Sequence, residues 1–330
     1  MTSTEMSTPG CSVVVPVYNG QKSLQELARR LSAVLPALSE NYELILVNDG
    51  SADTSWAEVQ AIVQSRPWVR GINLMRNYGQ HNALLAGIQR ARFDTIVTLD
   101  DDLQHPPEEL PKLIEKLREG WDVVYGRPEE RSHDLWRNVA SRLIKAVLRV
   151  VLGAQMAAHS SAFRAFQAKL RQGFAGFAGA ELSVDVLLSW SARRVTHVLV
   201  AHHPRHAGRS GYTFAKLMKL AFELLTGYSA VPLRIASALG LSTAVLGIAM
   251  FFYVVIRRLL QTEYTPGFAF QAAEIALFAG MQLFAIGVIG EYIAKLHFRT
   301  MGKPPYVIEE EIGEYVQPER LARDRPAHGD

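Results

Sequence analysis

The chain has 330 residues, of which 48% are hydrophobic and 20% charged, and a formal net charge of +3. That length holds one large domain, or one domain with an appendage, and so small a charge gives no argument for a nucleic-acid partner. The one cysteine, Cys11, excludes an internal disulfide, fits a reducing compartment and reads as a small buried hydrophobe.

Met1 to Gly10 has neither an apolar core nor a basic flank, so it does not read as a signal peptide. Ser12 to Val17 is a β-branched run, the mark of a buried strand. Gln21 to Leu35 carries Leu24, Leu27, Leu31 and Leu35 on one helical stripe. Glu43 to Val47 is a second strand, and Asp53 and Thr54 open a helix. Gly71 to Met75 is a third strand, His81 to Arg90 a helix, and Thr95 to Leu99 a fourth strand. Pro107 to Leu117 is a helix with proline in its first turn, and Val123 and Val124 belong to a fifth strand. Such alternation predicts an α/β domain with a mostly parallel sheet and helices on both faces.

In sheets of that kind ligands bind at the carboxyl ends of the strands. The polar clusters fall there: Tyr18 and Asn19 after the first strand, Asn48 to Ser51 after the second, and Asp100 to Asp102 after the fourth. The first turn has no GxGxxG pattern, which counts against a dinucleotide-dependent oxidoreductase. Asp100 and Asp102 lie two apart at a strand end, where their side chains share one side. Adjacent carboxylates repel unless a cation sits between them, and hard ions such as Mg2+ or Mn2+ take oxygen ligands shared with a diphosphate. Gln104 offers one more oxygen. Asp101, between the two, is expected to point the other way and is not counted as a ligand. A solvated acidic turn is the competing reading. Asp49 has two readings left open: accepting the ring N–H of a pyrimidine base, or bonding its own backbone in an Asp-Gly turn.

Beyond residue 230 the chain turns strongly apolar. Ile235 to Ile256 contains no charged side chain, and Phe268 to Gly290 contains only Glu274. A spanning helix needs about 20 apolar residues, so both runs read as membrane spans rather than as two buried helices of a soluble core. A short connector makes them a hairpin. Lys216, Lys219, Arg234, Lys295, Arg299 and Lys303 flank it, against Arg257 and Arg258 at the connector, which predicts that the globular part and both termini are cytoplasmic. The expected organisation is a globular domain over 1–230, two transmembrane helices over 231–297 and a cytoplasmic tail over 298–330. Phe214 to Leu225 adds an amphipathic run suited to a membrane surface, or to a helical core.

Four stretches, VVVPVYNG, VNDGSADTS, RNYGQHNALLAG and LDDDLQHPPEELPKL, together resemble the family-2 glycosyltransferases of the GT-A (Rossmann-like) fold. The two-span ending and GKPPYVIEE in the tail resemble their bacterial polyprenyl-phosphate members. The resemblance covers about 300 residues. It implies transfer of a sugar, with inversion, from a nucleotide-sugar donor (a UDP-sugar by expectation) to polyprenyl phosphate at the bacterial inner membrane. Pro16, Tyr18, Asn19 and Asp49 would line the base and ribose, with Asp100 beside them. Asp100, Asp102 and Gln104 would hold the metal. Two positions depart from the pattern: Gly20 stands where a glutamate is common, and Asp101 where a small residue is common.

A lipid phosphate is already ionised at neutral pH, so the acceptor needs positioning and charge compensation rather than a general base. Guanidinium groups match phosphate. Arg127 follows the fifth strand, Arg137 and Ser141 share a helix face, and Arg205 precedes the membrane segment. The resemblance extends the acceptor set to Ser210 and Tyr212. Asp100, Asp102 and Arg127 are the residues expected at the chemistry. For any one arginine the competing reading is a solvated surface charge. The rival functions are a processive polysaccharide synthase and a non-catalytic membrane scaffold, and homo-oligomer formation is left open.

Overall fold

The computed structural model describes residues 8–128, 159–174, 183–203, 225–260 and 268–314, together with Val147, Val151 and Phe222. Arg137, Ser141, Arg205, Ser210, Tyr212 and most of the amphipathic run lie outside the described residues.

The first half follows the expected alternation. β1 (Thr8–Val17), α1 (Leu24–Leu38), β2 (Tyr42–Asn48), α2 (Ser55–Ser65), β3 (Val69–Leu74), α3 (Gln80–Arg90), β4 (Phe93–Thr98), α4 (Leu110–Arg118) and β5 (Val123–Pro128) come in that order. α1 buries Leu24, Leu27, Ala28, Leu31 and Leu35, the leucine stripe of the sequence, against the sheet. It starts three residues later than expected, because Ser23 turns back on Gly20: both its N–H and its Oγ donate to the Gly20 carbonyl, each at 3.0 Å. β1 and β2 are buried on both faces, as parallel strands covered by helices must be.

Three further strands were not foreseen. β6 (Arg164–Gln167) is four residues long and contains an arginine. β7 (Val195–Val200) is only partly buried. β8 (Ile308–Ile312), IEEEI, lies in what reads from the sequence as a charged tail. α5 (Val184–Ser191) stands between β6 and β7. The resulting sheet has the order β7-β5-β6-β4-β1-β2-β3-β8. β1 runs parallel to β2 and β4, β2 to β3, and β5 to β7. β6 is antiparallel to β4 and β5, and β8 to β3. The order reverses at β1, whose neighbours are β2 on one side and β4 on the other, and this switch point is where α/β sheets leave a crevice for a ligand.

β8 closes the edge of the sheet through a chain of charges. Ser12 Oγ and the Arg92 N–H donate to Glu43 Oε1 at 2.7 and 2.8 Å, inside the sheet. Arg70 then bridges Glu43 Oε2 at 3.1 Å and Glu311 Oε1 at 2.6 Å, and Arg90 Nε reaches Glu311 Oε2 at 2.9 Å. Arg70 is almost fully buried, so its charge is tolerable only with such partners. Gly71 makes room: a Cβ there would stand 2.8 Å from Val59 Cγ1 and 2.9 Å from Ile312 Cγ1. Gly313 ends the strand at φ +85, a conformation that disfavours any side chain.

The second compact unit contains α6 (Val231–Leu260) and α7 (Phe268–Thr300). At about 1.5 Å per residue each exceeds the roughly 30 Å of a bilayer's hydrocarbon core. The segments Val231–Met250 and Leu277–Thr300 are apolar enough to cross it. Their side chains are outward: Leu241 is 69% exposed, Leu259 80% and Ile275 70%. Helices of a soluble core would be buried; these two are instead long, apolar and outward-facing, the features of membrane-crossing helices. The base of the pair is stapled. Lys295 Nζ donates to Thr226 Oγ1 at 2.6 Å, Arg299 to the Gly227 carbonyl at 2.8 Å, and the Tyr292 hydroxyl to the Ser229 carbonyl.

Glu311→Ala should remove one partner from each of Arg70 and Arg90 at the sheet edge. We expect a loss of about 1–3 kcal/mol and faster hydrogen exchange confined to residues 69–74 and 308–312, read by mass spectrometry. Burial works to raise the Glu311 carboxyl, but the Arg90 hydrogen bond and the Arg90 and Arg70 charges outweigh it and hold it below the ordinary glutamate value. Its contribution is therefore complete above about pH 4.3 and disappears as pH falls through the lowered folded value. In Glu311→Ala that acid limb should shrink.

Candidate active site

A cavity of about 260 Å³ opens at the switch point, lined by Pro16, Val17, Tyr18, Asp49, Asn77, Gly79, Gln80, Asp100, Asp101 and Asp102. Each wall comes from the carboxyl end of a central strand or the loop after it. The β1 end supplies Pro16 to Tyr18, with Tyr18 54% exposed, an aromatic face available to a ligand. Asn19 sits in the left-handed region at φ 54. Its N–H donates to Ser51 Oγ at 3.0 Å, and its Oδ1 accepts from the Ala52 N–H at 2.9 Å. Asn19 thus ties two loops together and is not itself in the wall.

Asp49 makes a contact that neither reading of the sequence foresaw. Its Oδ1 accepts the Tyr78 N–H at 2.7 Å and its Oδ2 the Gly79 N–H at 2.9 Å, so it grips the loop that opens α3. Burial raises its carboxyl, and these two amides pull it back only in part. Gly50 lets that loop approach: a Cβ there would lie 2.4 Å from backbone atoms of Arg76 and Asn77, at φ +61. Asp49 still borders the cavity, so the clamp and a ligand contact are compatible.

β4 ends at Thr98, and residues 101 and 102 form a turn with Leu103 at φ 57. The alternation of a strand therefore does not extend through the aspartates. Asp101, expected to point away from its neighbours, is among the residues that line the cavity with them, although its Oδ2 is buried. Gln80 Nε2 donates to Asp100 Oδ1 at 2.6 Å, and the Gln104 N–H to Asp102 Oδ1 at 3.1 Å. Burial, then the charges of Asp100 and Asp102, push Asp101 up to about 7.

The turn stands on a buried polar row. Thr98, Arg164 and Tyr125 are register partners across β4, β6 and β5. Arg164 Nε donates to Thr98 Oγ1 at 3.0 Å, and Thr98 Oγ1 to the Ala162 carbonyl at 2.9 Å. Asp185 of α5 accepts from Arg164 and, at 2.8 Å, from the Tyr125 hydroxyl. Burial opposes the Arg164 charge, but Asp185 and Tyr125 hold its pKa above the ordinary value, while Asp185 is held below its own. His81, in the loop-helix motif at α3, is buried beside them and its pKa is lowered by that burial.

Comparison with known proteins agrees with this architecture. Residues 12–174 match the model described as "Glycosyl transferase family 2", and residues 231–296 the one described as "GtrB C-terminal hairpin". The undecaprenyl-phosphate 4-deoxy-4-formamido-L-arabinose transferase of Photorhabdus laumondii is 36% identical over 307 residues, 92% of this chain and 94% of that one. Its namesake from Yersinia enterocolitica is 36% identical over 306 residues, 92% and 93% of the two chains. This chain belongs to glycosyl transferase family 2. Among solved structures, glucosyl-3-phosphoglycerate synthase from Mycobacterium tuberculosis, in complex with Mn2+, UDP and phosphoglyceric acid, aligns over 66% of this chain and 76% of that one, at 18% identity and a TM-score of 0.49.

As a member of glycosyl transferase family 2, the chain brings Pro16, Tyr18, Asp49, Asp100 and Asp102 to one cavity. Gln104 is not in its wall; its backbone fixes Asp102 and accepts the His203 N–H at 2.9 Å. Arg127 is the last residue but one of β5 and pairs in register with Leu199. The pKa of His159 is lowered by burial, then by His197, then by Arg127, and that of His197 by burial, then by Arg127. Arg127 does not line the cavity. Among the described residues no three His, Cys, Asp or Glu side chains converge on a metal position. The oxygens present nevertheless suit a hard divalent ion, because Mg2+ binds through one or two carboxylates and fills its shell with phosphate oxygens and water. Sequence reasoning missed Arg164, Asp185 and Gln80. A lone arginine in a short apolar strand was the available signal for the first.

Arg164→Met should leave Asp185 buried without its counter-charge. We expect about 3–5 kcal/mol of lost stability, seen in thermal unfolding of the full chain in detergent. Adding Asp185→Leu should recover much of it.

Proposed function

We propose that the protein transfers a sugar from a nucleoside-diphosphate donor to undecaprenyl or a related polyprenyl phosphate. The observation that carries this reading is the acidic cavity at the switch point, in a chain that ends in two membrane helices and shares 36% identity over nearly its whole length with transferases named for that acceptor. Tyr18, Pro16 and Asp49 take the base and ribose, with UDP the expected nucleotide. Asp100 and Asp102 hold Mg2+ or Mn2+ together with the donor's diphosphate. The ion, when bound, neutralises the charge that builds on the leaving diphosphate.

In the transfer itself an oxygen of the lipid phosphate attacks the anomeric carbon. The bond to the donor's diphosphate breaks from the opposite side, and the carbon inverts. No proton has to leave the attacking oxygen, so the step needs no general base. The acceptor's charge is met by arginines. Arg127 is the described one, and Arg137 and Arg205, with Ser141, Ser210 and Tyr212, complete the proposed set. The hairpin tethers the enzyme to the bilayer that holds the acceptor's tail. By the basic residues at its flanks, the catalytic unit and both termini are cytoplasmic. The product is a polyprenyl-monophosphate sugar for the cell envelope.

Asp102→Asn should abolish transfer while the protein stays folded in the membrane fraction. Chelation with EDTA should silence the wild type, and added Mg2+ or Mn2+ should restore it. Full turnover in chelator contradicts the metal role. The acceptor arm has its own measurement. Alanine at Arg127, Arg137 or Arg205 should raise the KM for lipid phosphate about tenfold to a hundredfold, the worth of a charge-assisted contact, and leave the donor KM nearly unchanged.

A further inference from the structure

Gly20 and Asp101 are the two places where the sequence departs from the pattern it resembles, and the structure brings them together. A Cβ on Gly20 would stand 2.0 Å from Asp101 Oδ2 and 3.0 Å from its Cγ. No real contact is that short. Gly20 is not in the left-handed region, so its backbone does not require glycine. What requires it is the carboxylate beside it.

Neither partner is free to move aside. The Gly20 N–H donates to Ser55 Oγ at 2.9 Å, and its carbonyl holds Ser23. The aspartate turn is fixed by Gln80 and by the Gln104 N–H. Asp101 Oδ2 is buried and has no hydrogen-bond partner, although it belongs to a residue that lines the cavity. A buried carboxylate oxygen with two further carboxylates beside it is costly, and a cation relieves that cost.

We propose that Gly20 and Asp101 are a transposed pair: the carboxylate found at position 20 in the resembled pattern is carried here by residue 101, into the same part of the donor cavity. The inference rests on the donor-site reading above. Asp101 acts there as a positioning residue. It adds a negative charge beside Asp100 and Asp102 that favours the hydrated divalent ion. Gly20 is the space this arrangement needs.

The test is an exchange of the two side chains in the full-length protein in detergent, read by Mn2+ affinity (electron paramagnetic resonance, Mn2+ as the probe) and by unfolding temperature. Asp101→Asn and Asp101→Ala should each weaken Mn2+ binding by about tenfold, as expected for loss of a charge-assisted contact. Gly20→Glu alone should weaken it too and lower the unfolding temperature, because it collides with Asp101. The double variant Gly20→Glu/Asp101→Ala should regain most of both. An Asp101→Asn protein that binds Mn2+ like the wild type overturns the proposal, as does a double variant no better than the sum of its parts. If Gly20→Glu does not fold, Gly20→Ala gives the same cycle: its loss of stability should vanish once Asp101 is alanine, and persistence of that loss refutes the pairing. A wild type that takes up no Mn2+ counts against the metal reading of the site. The unfolding cycle then still decides whether the two residues are coupled.

Discussion

Arg164 carries its charge inside the sheet, and a charge taken out of water is kept only when partners replace the water. Asp185 supplies the counter-charge, while Tyr125 and Thr98 satisfy the remaining polar atoms. These partners come from α5, β5 and β4, so the pair can form only when the later part of the domain has joined the earlier part. Thr98 is also the last residue of β4, two before the first aspartate of the cavity. The same hydrogen bonds that make a buried arginine tolerable therefore fix where the acidic turn begins. Such networks cost more than a well-packed apolar core of equal volume. Here the network supports the turn that brings Asp100, Asp101 and Asp102 to the cavity.

The rest of the site follows a similar economy of shared partners. Asp49 holds the opening of α3 through both of its oxygens, and Gln80, in the first turn of that helix, holds Asp100. Asn19 and Ser51 tie the β1 and β2 loops to each other. At the far edge of the sheet the chain Ser12, Glu43, Arg70, Glu311 joins β1 and β2 to β8. An exposed edge strand invites pairing with another chain, and here three glutamates in IEEEI occupy it. The segment that follows the membrane helices is in this way part of the catalytic domain's sheet.

The membrane helices obey a simpler constraint. In a bilayer every backbone group must be satisfied within the helix, and the side chains need only be apolar. Along α6, Ser237, Ser242 and Thr243 bond back to carbonyls of their own helix, and at the base Lys295, Arg299 and Tyr292 meet the residues leading into α6. For a transferase whose acceptor is a lipid, such a hairpin confines the search for that acceptor to a surface.

The sequence by itself determined what depends on local pattern. β-branched runs, the leucine stripe of α1 and the two long apolar runs mark strands, a helix face and membrane helices, because burial on one face leaves a periodic trace. It also placed Tyr18, Asp49, Asp100 and Asp102 at strand ends, where ligands bind in such sheets. Tertiary structure decided what depends on residues far apart in the chain. β8 is acidic and looks like tail; it is a strand because it pairs with β3, and Arg70 and Arg90, more than two hundred residues earlier, meet the charge of Glu311. Arg164 reads as a surface charge until Asp185 closes over it. Asp101 was assigned away from the cavity by strand alternation, and the turn after Thr98 breaks that alternation. Gly20 carries no trace in its own neighbourhood of the reason it is glycine, because the atom that excludes a side chain belongs to Asp101, and only folding brings the two within contact.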